Sequence, residues 1–266
     1  VMTSSKEFKE AQPKSAESYN DLGNLLTQRG EMDAAIASYQ TAIVLKPDFA
    51  IAHNNLGNLL TQRGEMEEAI ASYQTAIALE PDLVMAHSNL ANLLVYQGKM
   101  EEAIASYQTA IAFKPDYHPA KFGLTIAQLP IIYTSEAEVA LRRSNYQSHL
   151  ENLADSYQTA SEQELAEAAE EVGSVQPFLL PYQGLNDRQL QQTYGEMICR
   201  LMVSLYPQWC QPLPVPKLLA SQKIRVGIVS GLFHNHSVWK IRVQGWVENL
   251  DRSEFELFGY YTGNIT

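Results

Sequence analysis

The sequence predicts a mainly α protein: a solenoid of helical hairpins, then a helical linker, then the start of an α/β unit. Three observations carry that expectation. Pro47, Pro81 and Pro115 stand 34 residues apart and close three similar stretches, residues 16–49, 50–83 and 84–117. Pro207, Pro212, Pro214 and Pro216 crowd one short segment, where a helix cannot continue because proline lacks an N–H and clashes with the preceding turn. Beyond them the run Ile224-Arg-Val-Gly-Ile-Val-Ser230 is β-branched and short, as a buried strand is.

Within each stretch the apolar residues recur at helical spacing, pause at a glycine, and resume. In the second copy Leu56, Gly57 and Leu60 precede Gly64, and Ala69, Tyr73 and Ala76 follow it. The first copy matches with Leu22, Gly23, Leu26, Gly30, Ala35, Tyr39 and Ala42, and the third with Leu90, Ala91, Leu94, Gly98, Ala103, Tyr107 and Ala110. Small residues mark where helices approach closely, and the tyrosines are read as core. This is the 34-residue tetratricopeptide spacing, in which each unit is a helix–turn–helix that must stack to bury its apolar face. Residues 1–15 are read as a separate segment, with Pro13 one period before Pro47, and the opening Val1 in place of Met suggests a cut N-terminus.

From residue 118 a fourth first-helix begins and breaks off at Pro130. Residues 136–153 read as a longer amphipathic helix with Leu141, Tyr146, Leu150 and Leu153 inward. The Glu- and Ala-rich stretch 161–172 reads as a solvated helix, and residues 187–206 as another. The linker is therefore placed at 118–222 and the partial α/β unit at 223–266, with strands at 224–230 and 255–262 around a helix at 237–250.

The net charge of −11 is concentrated in the repeats, which carry −8 over residues 16–117. An acidic arm repels phosphate backbones, so protein partners are expected and nucleic acid is not. No apolar run is long enough to span a bilayer and no secretory signal opens the chain, so a cytoplasmic location without membrane attachment is expected. Cys199 and Cys210, the only cysteines, are too few for a disulfide framework or a thiolate metal site and are read as buried thiols. No metal and no resident cofactor is expected.

The C-terminal segment gives the chain its family resemblance. Its first strand with Arg225, Val226, Gly227, Val229 and Ser230, the loop Phe233-His-Asn-His236, and Asp251-Arg252 leading to Phe255-Glu-Leu-Phe-Gly-Tyr-Tyr-Thr262 resemble the catalytic region of the O-linked N-acetylglucosaminyltransferase family, the SPINDLY-type glycosyltransferases. The linker motif Phe178-Leu-Leu-Pro-Tyr-Gln-Gly184, the Tyr206-Pro-Gln-Trp209 helix end, and the repeats upstream fit the same order. The resemblance implies two facing Rossmann-like halves of GT-B type. It also implies transfer of N-acetylglucosamine from UDP-N-acetylglucosamine, bound mainly to the second half, to Ser or Thr of proteins. His236 matches the cleft histidine of the family's Asn-His-Pro motif and is the candidate catalytic residue, although Ser237 and Leu232 stand where the family often has Pro and Asp. A helix-capping role for His236 stays open. With the nucleotide-binding half not matched, activity from this chain alone is not expected.

The resemblance also assigns a role to amides in the repeats. Asn55 and Asn89 occupy the sixth position of their hairpins, and Asn24, Asn58 and Asn92 the ninth. An amide donates and accepts, which suits an extended peptide backbone of any sequence. In the family, sixth-position asparagines form a ladder along the inner surface. Asp21 interrupts it in the first copy, and the amides could instead bond neighbouring helices. A clamp for a peptide's C-terminal carboxylate is set aside, because residues 85–94 contain neither Lys nor Arg. A peptide-binding scaffold without chemistry remains the alternative. His53 and His87 are read as packing residues, His234 as structural, and Trp239 and Trp246 as a helix face.

Overall fold

The computed structural model describes residues 15–174, 177–209, 223–230, 248 and 251–261. The chain divides into two units, Val1–Cys210 and Gln211–Thr266, and each is described by itself.

The first unit opens with three helical hairpins: α1 (Ala16–Gln28) with α2 (Met32–Leu45), α3 (Ala50–Arg63) with α4 (Met66–Leu79), and α5 (Val84–Tyr96) with α6 (Met100–Phe113). The sharp turn inside each hairpin requires a left-handed residue. Glycine supplies it at Gly30, Gly64 and Gly98, with φ between 76° and 82°. Ser15 caps α1 by accepting the Ser18 N–H at 3.2 Å. Between hairpins the chain leaves the helix at Lys46, Glu80 and Lys114, each in an extended conformation just before a proline.

Inside each hairpin the tyrosine of the second helix lies flat against a gap in the first. Tyr39, Tyr73 and Tyr107 are almost fully buried. A methyl group on Gly23 would fall 2.5 Å from the Tyr39 ring, and one on Gly57 would fall 2.7 Å from Tyr73. The third hairpin has Ala91 at that position, and there the ring of Tyr107 lies against Gly123 of the next helix, where a methyl would come within 2.4 Å. The glycine needed beside the tyrosine has moved from one side of the ring to the other.

Four further helices follow: α7 (His118–Ile126), α8 (Glu136–Ser156), α9 (Glu162–Glu170) and α10 (Arg188–Leu205). They share one core of Phe122, Leu129, Tyr146, Leu150, Leu153, Tyr157, Ala168, Ala169, Leu180, Leu190, Met197 and Leu201. The stretch expected to be a solvated helix is helical with a complete Ser161–Glu164 capping box, yet Ala168 and Ala169 are buried. Two small side chains in succession let α9 pack closely on its neighbours. Leu141, expected inward, is 60% exposed. It precedes Tyr146 by five residues, which places it about 140° around the helix from the Tyr146, Leu150 and Leu153 face. Cys199, expected buried, is exposed for the same reason, since it lies about 200° from Met197 on α10. Cys210 lies outside the described residues.

Polar ties hold these helices together. Arg143 on α8 donates to Asp187 at 2.6 Å, to Gln183 Oε1 at 3.0 Å and to the Asn186 carbonyl at 2.7 Å, which pins the segment before α10. Arg142 pairs with Glu101 of α6 and with Glu138, joining α8 to the third hairpin. His118 opens α7 buried, its Nδ1 3.0 Å from the Tyr157 hydroxyl.

In the second unit, β1 (Ile224–Ser230) and β2 (Phe255–Tyr261) pair in parallel, with Ile224 opposite Phe255 and Ser230 opposite Tyr261. Parallel neighbours need a crossover connection. The expected crossover helix at 237–250 lies outside the described residues apart from Glu248, as do the N-terminal segment 1–14 and Pro212, Pro214 and Pro216. Asp251 accepts from the Ser253 N–H at 2.7 Å and from its hydroxyl at 2.6 Å, tightening the entry to β2.

Two predictions follow from this packing. Gly123→Ala forces the Tyr107 ring out of its place and is expected to cost about 1–3 kcal/mol, as overpacking does, measured by urea unfolding. Burial holds His118 and His149 below the usual histidine range, so both fold in the neutral form. A base depressed in the folded state contributes stability above pH 6.5 that is lost as pH falls through its folded value. The urea midpoint should therefore drop between pH 7.5 and 5.5, and the double variant His118→Gln, His149→Gln should show a flatter profile.

Candidate functional site

The first helix of each hairpin faces a groove, and the residues lining it repeat with the chain. Between the first and second hairpins, Asn24, Thr27, Gln28, Tyr39, Asn55, Asn58, Leu59 and Gln62 enclose about 360 Å³. One period on, Asn58, Thr61, Gln62, Tyr73, Asn89, Asn92, Leu93 and Tyr96, with Arg63, Gly64 and Met66 at the rim, enclose about 770 Å³. The eight residues of the first subsite map one for one onto the second by a shift of 34. All five asparagines expected from the sequence therefore border this groove.

Their hydrogen bonds form a directed chain. Asn89 Nδ2 donates to Asn54 Oδ1 at 2.9 Å, Asn54 Nδ2 to Asn55 Oδ1 at 3.3 Å, and Asn55 Nδ2 to Asn20 Oδ1 at 3.0 Å and Asn24 Oδ1 at 3.3 Å. Asn89 and Asn55 each donate to the preceding hairpin, and Asn54 links the two steps within α3. Asn20 and Asn54 are buried fifth-position residues, and the Oδ1 of each accepts from the sixth-position asparagine of the following hairpin. At the third hairpin the fifth position is Ser88, whose buried hydroxyl has no partner among the described residues. The reason is local: the sixth position of α7 is Gly123, which has no amide to offer.

The ninth-position asparagines are held from below. Tyr39 donates its hydroxyl to Asn24 Oδ1 at 2.8 Å, Tyr73 to Asn58 Oδ1 at 2.9 Å, and Tyr107 to Asn92 Oδ1. Thr27 and Thr61 return their hydroxyl protons to the carbonyls of Gly23 and Gly57, four residues back. Burial raises all three tyrosines above the usual phenol range, so each remains a protonated donor.

Other sequence candidates are placed as follows. His53 and His87 bond the carbonyls of Pro47 and Pro81 through Nε2 at 3.1 and 2.9 Å. Arg63 lines the groove rim, but its charge is countered by Glu65 at 2.6 Å and Asp33 at 3.3 Å. His234, His236, Trp239 and Trp246 lie outside the described residues. The described residues contain no cluster of His, Cys, Asp or Glu that could hold a metal ion, and no helix among them is long and apolar enough to cross a membrane. The sequence reading missed the buried Asn20 and Asn54 and the groove residues Thr27, Thr61, Gln28 and Gln62. Their signal was present, since Asn20 and Asn54, Thr27 and Thr61, and Gln28 and Gln62 are identical pairs one repeat apart.

Two family models match the chain: TPR repeat at residues 23–61 and 57–95, and tetratricopeptide repeat at 84–117. The chain carries tetratricopeptide repeats. None of the curated proteins matches it. Among solved structures it is similar to a mutant O-GlcNAc transferase from Thermobaculum terrenum, at 20% identity and a TM-score of 0.51, covering 94% of this chain and 38% of that one. It also matches MamA at 25% identity, covering 56% of this chain and 86% of that one with a TM-score of 0.44. A third match is the second TPR domain of human RPAP3 in complex with an HSP70 peptide, at 24% identity, 42% and 94% coverage and a TM-score of 0.41. The likeness to the transferase concerns the fold, and this chain spans well under half of that protein's length.

The amide chain has a stability consequence. Asn89→Ala leaves the buried Asn54 Oδ1 without its donor and is expected to cost about 1–3 kcal/mol. Urea unfolding checks this, with Gln62→Ala, an exposed groove residue without such a partner, as the near-neutral comparison.

Proposed function

We propose that the repeats are a peptide-gripping arm of a protein O-glycosyltransferase, one that moves N-acetylglucosamine from UDP-N-acetylglucosamine to Ser or Thr hydroxyls. The observation that carries the gripping role is the translation of one polar subsite by a single repeat. A ligand that satisfies the first subsite meets the same groups again in the second, except that Tyr96 stands in the place of Gln62. A polypeptide backbone is the common ligand with that property, because it offers carbonyls and N–H groups at regular intervals whatever its side chains. The groove bears amides and hydroxyls and its one rim cation is already paired, so it suits backbone more than a charged terminus.

The transferase part of the reading rests on residues 224–262 and on the fold likeness. The parallel pairing of β1 and β2 is compatible with the opening of an α/β unit, in which ligands bind at the carboxyl ends of strands. In the transfer, the hydroxyl oxygen bonds to the anomeric carbon as the bond to the diphosphate oxygen breaks. The electron pair leaves on UDP, and the hydroxyl proton passes to a base. His236 is assigned to the acceptor side of that cleft, where a neutral imidazole orients the hydroxyl or takes its proton. The donor is assigned to a second α/β half.

Fluorescence anisotropy with a labelled, end-capped peptide rich in Ser, Thr, Pro and Val tests the arm. Asn55→Ala with Asn89→Ala is expected to weaken binding by about thirtyfold, each of the two lost contacts being worth about 1 kcal/mol. Unchanged affinity in a folded double variant would remove the groove from the account. Calorimetry of these 266 residues with UDP-N-acetylglucosamine is expected to give no heat of binding, and micromolar binding would contradict the placement of the donor.

A further inference from the structure

The groove has a hydrogen-bonding polarity, and buried residues set it. We propose that Tyr39, Tyr73 and Tyr107 act as positioning residues, locking Asn24, Asn58 and Asn92 with Oδ1 turned inward so that only the Nδ2 donors face a ligand. This deepens the peptide-gripping reading and rests on it. Its consequence is that the ninth-position row contacts carbonyl oxygens of the bound chain and rejects N–H groups, which favours one direction of the peptide.

The third hairpin states the case most simply. Position 27 and its equivalent 61 are threonines, lying 3.4 and 3.2 Å from the Tyr39 and Tyr73 hydroxyls. The third equivalent is Val95, which has no oxygen. Among the described residues Tyr107 therefore has Asn92 as its sole hydrogen-bond partner, and a buried phenol must place its proton on an acceptor. Only Oδ1 can take it. Turning the amide over would oppose Nδ2 to the hydroxyl and leave that proton unsatisfied.

The first hairpin supports the same orientation from a second side. Asn24 Oδ1 receives Asn55 Nδ2 as well as the Tyr39 hydroxyl. Reversing Asn24 would set one amide donor against another. In the second hairpin the Tyr73 hydroxyl lies 2.9 Å from Asn58 Oδ1 and 3.2 Å from the Thr61 hydroxyl, so the shorter bond is the one to the amide oxygen. With Oδ1 engaged below, the Nδ2 groups of Asn58 and Asn92 have no partner among the described residues, and both side chains line the larger subsite. Asn89 is the complement. Its Nδ2 is spent on Asn54, so its Oδ1 is the acceptor offered to the same space. One subsite thus presents fixed donors and a fixed acceptor, the pattern that meets carbonyl and N–H groups of one chain direction.

Tyr→Phe variants test the proposal because they keep the ring that fills the hairpin and delete only the hydroxyl. In the full chain, nuclear Overhauser contacts from the Asn92 Nδ2 protons to the Tyr107 ring ε protons should be weak in the wild type and strengthen in Tyr107→Phe, where the amide can turn. Strong contacts already in the wild type would place Nδ2 inward and overturn the proposal, whatever binds the groove. The second arm uses the labelled Ser/Thr/Pro/Val peptide. Tyr73→Phe with Tyr107→Phe, confirmed to retain its thermal midpoint within a few degrees, should bind about fivefold to tenfold more weakly while keeping both asparagines. Equal affinity would show that the tyrosines do not act through the amides. If the wild type fails to bind the peptide at all, the gripping reading falls, and the Overhauser contacts still decide the amide orientation.

Discussion

The contact on which the solenoid depends is that of a tyrosine ring laid against a missing side chain. Tyr39 and Tyr73 each fill the space above a glycine of their own hairpin, and Tyr107 fills the space above Gly123. The ring sets how closely the helices approach, and the depth of burial sets how much apolar area leaves water, roughly 25 cal/mol per Å². The same side chain carries a polar tip that must be satisfied once the ring is buried. In every hairpin the tip reaches the ninth-position asparagine at the groove surface. One residue type therefore couples core packing to the chemistry of the concave face, and repetition copies that coupling along the chain.

The ends of the groove follow from the same geometry. The amide chain starts at Asn89 and runs toward Asn20. It does not extend into α7, where glycine and phenylalanine replace the sixth- and fifth-position polar residues of the repeats. From there the chain invests in a common apolar core instead, with Phe122 and Tyr157 stacked at 6.3 Å and the α8, α9 and α10 helices packed around them. The arm passes into a helical body within a single unit, joined by the Arg142–Glu101 pair between α8 and α6. With the Glu101 carboxylate 75% exposed, this pair fixes an orientation and contributes at most about 1 kcal/mol.

Much of this was legible in the sequence, because periodicity reports burial directly. The hairpins, their glycine turns, the tyrosine core and the helical stretches of the linker all follow from 3.6-residue and 34-residue periods. Where the reading failed, it took a residue type for a face: Leu141 and Cys199 are apolar by composition but lie on the wrong side of their helices, and Ala168 and Ala169 sit inward in a stretch whose glutamates dominate its appearance. At the candidate site the asparagines were visible as repeated letters, but their bonding was not. Which end of an amide faces the groove depends on partners one hairpin away, such as Asn20 and Asn54, that no local pattern connects.

The central claim is that the translated polar subsites hold a peptide backbone. The most direct measurement is side-chain amide chemical-shift mapping of all asparagines and glutamines during titration with an unlabelled, end-capped Ser/Thr/Pro/Val peptide. The account predicts saturable shifts confined to Asn24, Asn55, Asn58, Asn89 and Asn92 and to Gln28 and Gln62, with Gln147, Gln163 and Gln192 of the other helices unmoved. Shifts concentrated on those outer glutamines, or none at the groove at saturating peptide, would contradict it.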